Sequence, residues 1–157
     1  MLQAYLHTPL GIAEITGDEN GISKISVFDK KEIAIPETPI ELQEAVGQLN
    51  DYFLGKRSDF TFKLNPSGTE FQKKVWTALQ QIPFGKTMSY QELSIQLGDV
   101  KAIRAVASAN GKNPLWIVVP CHRVIGTDGS LTGYAGGLWR KKWLLDHENP
   151  VKQQSLF

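Results

Sequence analysis

The stretch Ser89-Tyr90-Gln91-Glu92-Leu93-Ser94-Ile95-Gln96-Leu97-Gly98-Asp99-Val100-Lys101-Ala102-Ile103-Arg104-Ala105-Val106-Ala107-Ser108-Ala109-Asn110-Gly111-Lys112 decides the architecture. Ser89 with Glu92 three residues on is a capping box, in which each side chain satisfies an orphan N–H of the other. It opens a short helix through Leu97 that Gly98 closes. After Asp99 a second helix is expected from about Val100 to Asn110, with Gly111 placed to end it. Two short helices joined through Gly98-Asp99 resemble a helix-turn-helix. On the second helix Lys101, Arg104, Ser108 and Lys112 share a narrow arc with Ala105 beside them, while Ile103, Val106 and Ala107 point toward a core. Small side chains let a helix backbone approach a groove, and Lys and Arg meet phosphates. A plain solvated helix carries the same stripe, so the stripe leaves both readings open.

Upstream, Thr69 and Gln72 form another capping box, with Phe71, Val75, Ala78 and Leu79 as the apolar face behind it; Pro83 and Gly85 bound that helix. Asn65-Pro66-Ser67-Gly68 reads as a linker and divides the chain into residues 1–66 and 67–157. The first part reads as short strands: Ile12 to Thr16 and Ile22 to Phe28 around the turn-like segment 17–21, and Phe60 to Phe62. A helix is expected over Ile40 to Leu54, with Leu42, Val46, Leu49 and Phe53 in register. Downstream, Leu115 to Val119 is a short apolar run of strand character between Pro114 and Pro120. A last helix is expected over Leu138 to His147, although its apolar periodicity is poor.

Composition narrows the classes. Of 157 residues, 41% are hydrophobic and 21% charged, as in folded domains rather than disordered chains. No apolar stretch nears the roughly 20 residues of a membrane span, and the start lacks the pattern of a secretory signal. A single cysteine excludes an intramolecular disulfide; the expectation is a reducing, cytoplasmic setting. Net charge is only +1, but residues 1–68 hold 6 Lys/Arg against 10 Asp/Glu and residues 69–157 hold 11 against 6. A polyanion would therefore meet the second half.

That cysteine, Cys121, follows the apolar run directly and precedes His122 and Arg123. Basic neighbours lower a thiol pKa, and Glu148 is available to orient His122, which makes a nucleophile, base and orienter set. A buried, inert cysteine is the alternative. With His7, His122 and His147 scattered, no metal-ligand spacing appears, and no metal is expected.

Pro120-Cys121-His122-Arg123-Val124 resembles the active-site motif of the O6-alkylguanine-DNA alkyltransferases. Phe71-Gln72, Val75-Trp76, Gly85, Ser89-Tyr90, Arg104-Ala105-Val106, Asn113-Pro114, Gly133-Tyr134-Ala135-Gly136-Gly137, Trp143-Leu144-Leu145 and His147-Glu148 resemble family positions in order. Together they span about residues 69–150.

The resemblance implies an α/β protein: a small ribonuclease-H-like α/β domain, then a mostly helical winged-helix domain that binds DNA. It implies that Cys121 accepts the alkyl group from O6-alkylguanine, and O4-alkylthymine is a further possible substrate. His122 would act as base through a water, with Glu148 holding its ring. Asn113 would fix the cysteine geometry, and Tyr90 would protonate the leaving base. Tyr90, Val124, Tyr134 and Ala135 would line the base pocket. Arg104 would fill the gap left when the base is flipped through the minor groove, with Lys101, Ala105, Ser108 and Lys112 around it. Gly133, Gly136 and Gly137 would let a loop close over the base. The family is single-turnover and needs no cofactor, since the partner, double-stranded DNA carrying the lesion, is itself the donor. A monomer is expected. A non-catalytic lesion sensor and a recycling thiol hydrolase are the competing readings; the cysteine argues against the former and the stable thioether against the latter.

Overall fold

The computed structural model describes residues 1–29, 34–131, 134 and 136–149. The described chain forms two compact units: residues 1–67 with 114–118, and residues 68–113 with those from 119 onward.

The first unit is an antiparallel sheet of β1 (Leu2–Thr8), β2 (Gly11–Asp18) and β3 (Gly21–Phe28), in that order. The β2–β3 turn is shorter than expected. The strands continue to Asp18 and from Gly21, with Asn20 N–H donating to Asp18 Oδ1 at 2.8 Å. Gly21 sits at φ 129°, and a β-carbon there would lie 3.0 Å from the Lys63 carbonyl oxygen, so only glycine fits without strain. β2 alternates between buried and half-buried residues over its second half, the period-2 signature of a sheet covered on one face. A 3-10 turn, Ile40–Leu42, leads into α1 (Gln43–Phe53), whose Ala45, Leu49 and Tyr52 are buried. The expected strand at Phe60 to Phe62 does not form. The Gln48 amide takes the place of a neighbouring strand, accepting from Thr61 N–H at 2.9 Å and donating to Thr61 Oγ1 at 2.7 Å. From this segment Leu64 bridges to the sheet, at Ile22.

The apolar run 115–119 is buried throughout, but it is not a strand. Leu115 alone bridges to Ile25, with Ile25 N–H donating to Pro114 O and Trp116 N–H to Ile25 O. The chain then reverses: Val118 N–H donates to Trp116 O at 2.9 Å, and Ile117 lies at φ 71°. This is the strained form of the γ-turn, costly for a β-branched residue. Flanking prolines, which lack an N–H, prevent the ladder the composition suggests.

The second unit is helical. α2 (Glu70–Leu79) carries the Thr69/Gln72 capping box and buries Val75, Trp76 and Leu79, whereas Phe71, assigned above to the apolar face, is exposed. β4 (Met88–Ser89) pairs in parallel with β5 (Val124–Ile125). α3 (Tyr90–Gln96) opens on the Ser89/Glu92 box and ends at Gly98, φ 93°. A 3-10 turn, Val100–Ala102, capped by Asp99, runs into α4 (Ile103–Gly111). Gly111 is thus the last helical residue rather than the terminator. α5 (Leu138–Glu148) closes the unit. Trp76 Nε1–H donates to Ala109 O at 2.9 Å, tying α2 to α4 at a buried point.

Candidate active site

Cys121 is delivered by backbone geometry. Its N–H donates to Val119 O at 2.8 Å across Pro120, which sits at φ −82° and ψ 64°. That is the common form of the γ-turn, and the proline ring favours it. A single 3-10 turn, Cys121–Arg123, follows. Asn113 Nδ2 donates to Val119 O at 2.7 Å, joining the two ends of the excursion 114–118 immediately before the thiol.

His122 and Arg123 are engaged by a carboxylate rather than by the thiol. Both side chains run to the last residue of α5. His122 Nε2 lies 2.8 Å from Glu148 Oε2, and Arg123 donates to Glu148 through Nε (2.7 Å) and Nη2 (3.0 Å). Arg123 Nη1 is held by Ile82 O at 2.7 Å. Burial tends to raise the Glu148 carboxyl. Hydrogen bonds from His122 and Arg123, with their charges, outweigh burial and hold it at about 2. His122 is pushed down by burial despite Glu148, so its resting form is a neutral imidazole. With Nε2 on the carboxylate, Nδ1 is a buried nitrogen that meets no partner among the described residues. It is the ring atom able to take a proton.

The thiol itself is raised, not lowered. Cys121 is 8% exposed, and burial outweighs the stabilisation offered by Asn113, the Lys141 charge and the Tyr134 hydroxyl. The expectation that His122 and Arg123 depress it is corrected: both side chains are engaged by Glu148. The cation that does act on the sulfur is Lys141, which the sequence reading missed. Fully buried on α5, it has its Nζ 5.9 Å from the centre of the Tyr90 ring, and burial lowers its own pKa. A signal was available. Lys141, Leu144 and Glu148 fall at helical spacing, so the inward face of α5 is partly ionic, and that is why its apolar periodicity looked poor.

Tyr90 is the first residue of α3, and its hydroxyl accepts from Asn110 Nδ2 at 3.4 Å. Asn110 was also missed. Val124 is buried, and its N–H donates to Cys121 O. Any backbone contact it makes to a ligand would therefore use its carbonyl. The Tyr134 hydroxyl is among the groups that tend to lower the Cys121 thiol, and its ring lies over Gly136, where a β-carbon would come within 3.2 Å of it. Gly137, at φ 94°, precedes α5 as its N-cap. Ala135 and Gly133 lie outside the described residues.

The basic stripe is on the surface. Lys101, Arg104, Ala105, Ser108 and Lys112 are all exposed, although Lys101 belongs to the preceding 3-10 turn and Lys112 caps the end of α4. Ala107, expected to face the core, is exposed; the inward residues are Val106, Ala109 and Asn110.

Two family models match this chain. Residues 1–66 match the 6-O-methylguanine DNA methyltransferase ribonuclease-like domain, and residues 70–150 match the DNA binding domain of the same family. A methylated-DNA–protein-cysteine methyltransferase of Methanosarcina acetivorans is 46% identical, over 94% of this chain and 98% of its own. One of the same name from Mycolicibacterium paratuberculosis is 44% identical over 95% and 93%. The solved structure of Mycobacterium tuberculosis OGT in complex with DNA superposes with a TM-score of 0.83 at 38% identity, over 97% of this chain and 93% of that one.

Proposed function

Because the chain belongs to the O6-methylguanine DNA methyltransferase family, we propose that it repairs DNA by moving the alkyl group of O6-alkylguanine onto Cys121, once per molecule. The observation that carries this is the buried array in which ionised Glu148 holds neutral His122, the residue next to Cys121, and leaves its Nδ1 with no hydrogen-bond partner among the described residues.

The resting thiol suits the role. A buried thiolate would be poorly solvated and prone to waste, whereas a thiol that loses its proton only on reaction is kept intact. His122 Nδ1 takes that proton through a bridging water, and the imidazolium formed is stabilised by Glu148. The sulfur attacks the alkyl carbon, the new carbon–sulfur bond forms, and the bond from that carbon to O6 breaks. Tyr90 gives its hydroxyl proton to N3, so a neutral guanine leaves. Lys141 stabilises negative charge on the sulfur as it develops. Val124 and Tyr134, with Ala135, border the base, and Asn113 keeps the thiol in line.

The target atom is inaccessible in stacked duplex, so the base is flipped at a cost of a few kcal/mol. Arg104 fills the gap from the exposed face of α4. Lys101, Ser108 and Lys112 take phosphates, and Ala105 permits close approach in the minor groove. All these groups lie on one chain, so the acting unit is a monomer. We assign the alkyl-transfer and DNA-binding role to residues 67–157, with 1–66 as a supporting domain, in a cytoplasmic, DNA-containing compartment; among the described residues no helix is long and apolar enough to cross a membrane.

The test is conversion of O6-methylguanine to guanine in a duplex by the full chain and by Cys121→Ala. The expected result is stoichiometric conversion by the former, none by the latter, and equal duplex affinity. Conversion by Cys121→Ala would sink the assignment.

A further inference from the structure

We propose that Asn110 is a positioning residue for Tyr90: its amide N–H occupies the Tyr90 oxygen and so directs the phenolic hydrogen toward the base that must receive it. The proposal rests on the reading of Tyr90 as proton donor.

Asn110 is 3% exposed and shares the inward face of α4 with Val106 and Ala109, both apolar. Its Nδ2 donates to Tyr90 Oη at 3.4 Å, and its Oδ1 meets no partner among the described residues. An interior amide used on one side only is a poorer choice for folding than an apolar side chain of the same size, because a buried acceptor left unsatisfied is costly. Folding therefore does not account for the residue. Its one directed contact is to the hydroxyl on which departure of the base depends.

The chemistry of that contact is specific. An amide N–H can only donate, so it takes a lone pair of the phenolic oxygen and forbids the Tyr90 O–H from turning toward Asn110. Asn110 therefore does not compete for that hydrogen. As the Tyr90 O–H bond breaks and the N3–H bond forms, the same N–H meets the negative charge left on the oxygen, where a hydrogen bond is strongest. The electron pair from the broken bond between O6 and the alkyl carbon stays on the departing guanine, which leaves neutral. Arg104 and Ser108 lie on the outer face of the same helix, so one rigid element both meets the duplex and aligns the acid.

The test uses single-turnover methyl transfer from a duplex containing O6-methylguanine, at saturating DNA, by the full chain. Asn110→Leu removes the donor at similar size and is expected to slow transfer ~10-fold, within what a general acid contributes, while leaving duplex affinity and thermal stability undiminished. Asn110→Ala, in case the leucine packs badly, should move in the same direction. Asn110→Asp is nearly isosteric but can only accept. It should be slower still, because the phenolic hydrogen turns to the carboxylate. In a Tyr90→Phe background Asn110→Leu should change nothing further. A merely structural asparagine predicts the reverse: a mild Asn110→Asp, and an Asn110→Leu loss that persists in Tyr90→Phe. Either result overturns the proposal. Failure of the parent reading looks different: no transfer by the unmodified chain, or Tyr90→Phe as fast as the unmodified chain, would remove the role of Tyr90 and this inference with it.

Discussion

Glu148→Gln should uncouple stability from acid in a defined window. Glu148 is 2% exposed, pairs with His122 Nε2 at 2.8 Å and takes two hydrogen bonds from Arg123. Its carboxyl stands at about 2, against 4.5 for an ordinary glutamate. That difference corresponds to ~3 kcal/mol of folding free energy at neutral pH. A carboxyl depressed on folding contributes fully above its unfolded value and loses the contribution as pH falls toward its folded one. The window therefore runs from 4.5 down to about 2. Glutamine keeps the shape but leaves the buried Arg123 guanidinium uncompensated, which adds a loss that does not vary with acid. Urea unfolding of both proteins, from neutral pH to about pH 3, isolates the effect as a difference between them. That difference should be flat above 4.5 and shrink steadily below it. A difference that stays constant through the acid range would refute the claim that Glu148 is ionised and paired in the folded protein.

Lys141→Met removes the cation that acts on Cys121. The pH at which the thiol reacts with iodoacetamide at half its maximal rate should rise, and an unmoved profile would leave Lys141 without an electrostatic role. Arg104→Ala should slow repair of the lesion in duplex DNA more than reaction with the free alkylated base; equal losses on both would show that Arg104 does not act by filling the stack. Ser89→Ala breaks the box that starts α3, where Ser89 Oγ accepts from Glu92 N–H at 3.0 Å. Thermal unfolding should show a loss of ~1 kcal/mol, and a change near zero would mean that the helix start is held by packing alone.

What was legible in the sequence is what local chemistry decides. The boxes at Thr69/Gln72 and Ser89/Glu92 depend on residues three apart, and both form as written. The glycine stop at Gly98 and the helix from Ile40 are equally local. The failures are of the opposite kind. Leu115 to Val119 has strand composition, but prolines at both ends and the turn at Ile117 deny it a ladder. β1, an edge strand of mixed composition, becomes evident only once β2 pairs with it. Phe60 to Phe62 reads as a strand until the side chain of Gln48 claims its backbone.

The site divides in the same way. Cys121, His122 and Glu148 stand out as residue types, and the fold brings the last two to 2.8 Å. Proximity in sequence misled the electrostatics, because His122 and Arg123 adjoin Cys121 along the chain yet direct their side chains to Glu148. Lys141 and Asn110 were hidden because each is a polar residue on the inward face of a helix, where a hydrophobicity pattern registers only noise. The polar residues that interrupt such a face are the ones to suspect.

The central claim is that Cys121 is consumed as an alkyl acceptor. Incubating the full chain with an excess of duplex O6-methylguanine, then weighing the intact protein and its peptides, tests it most directly. One methyl per molecule, on the peptide that carries Cys121, with repair stopping at one equivalent, is the predicted result. Repair that continues beyond one equivalent, or a Cys121 peptide of unchanged mass after repair, would contradict it.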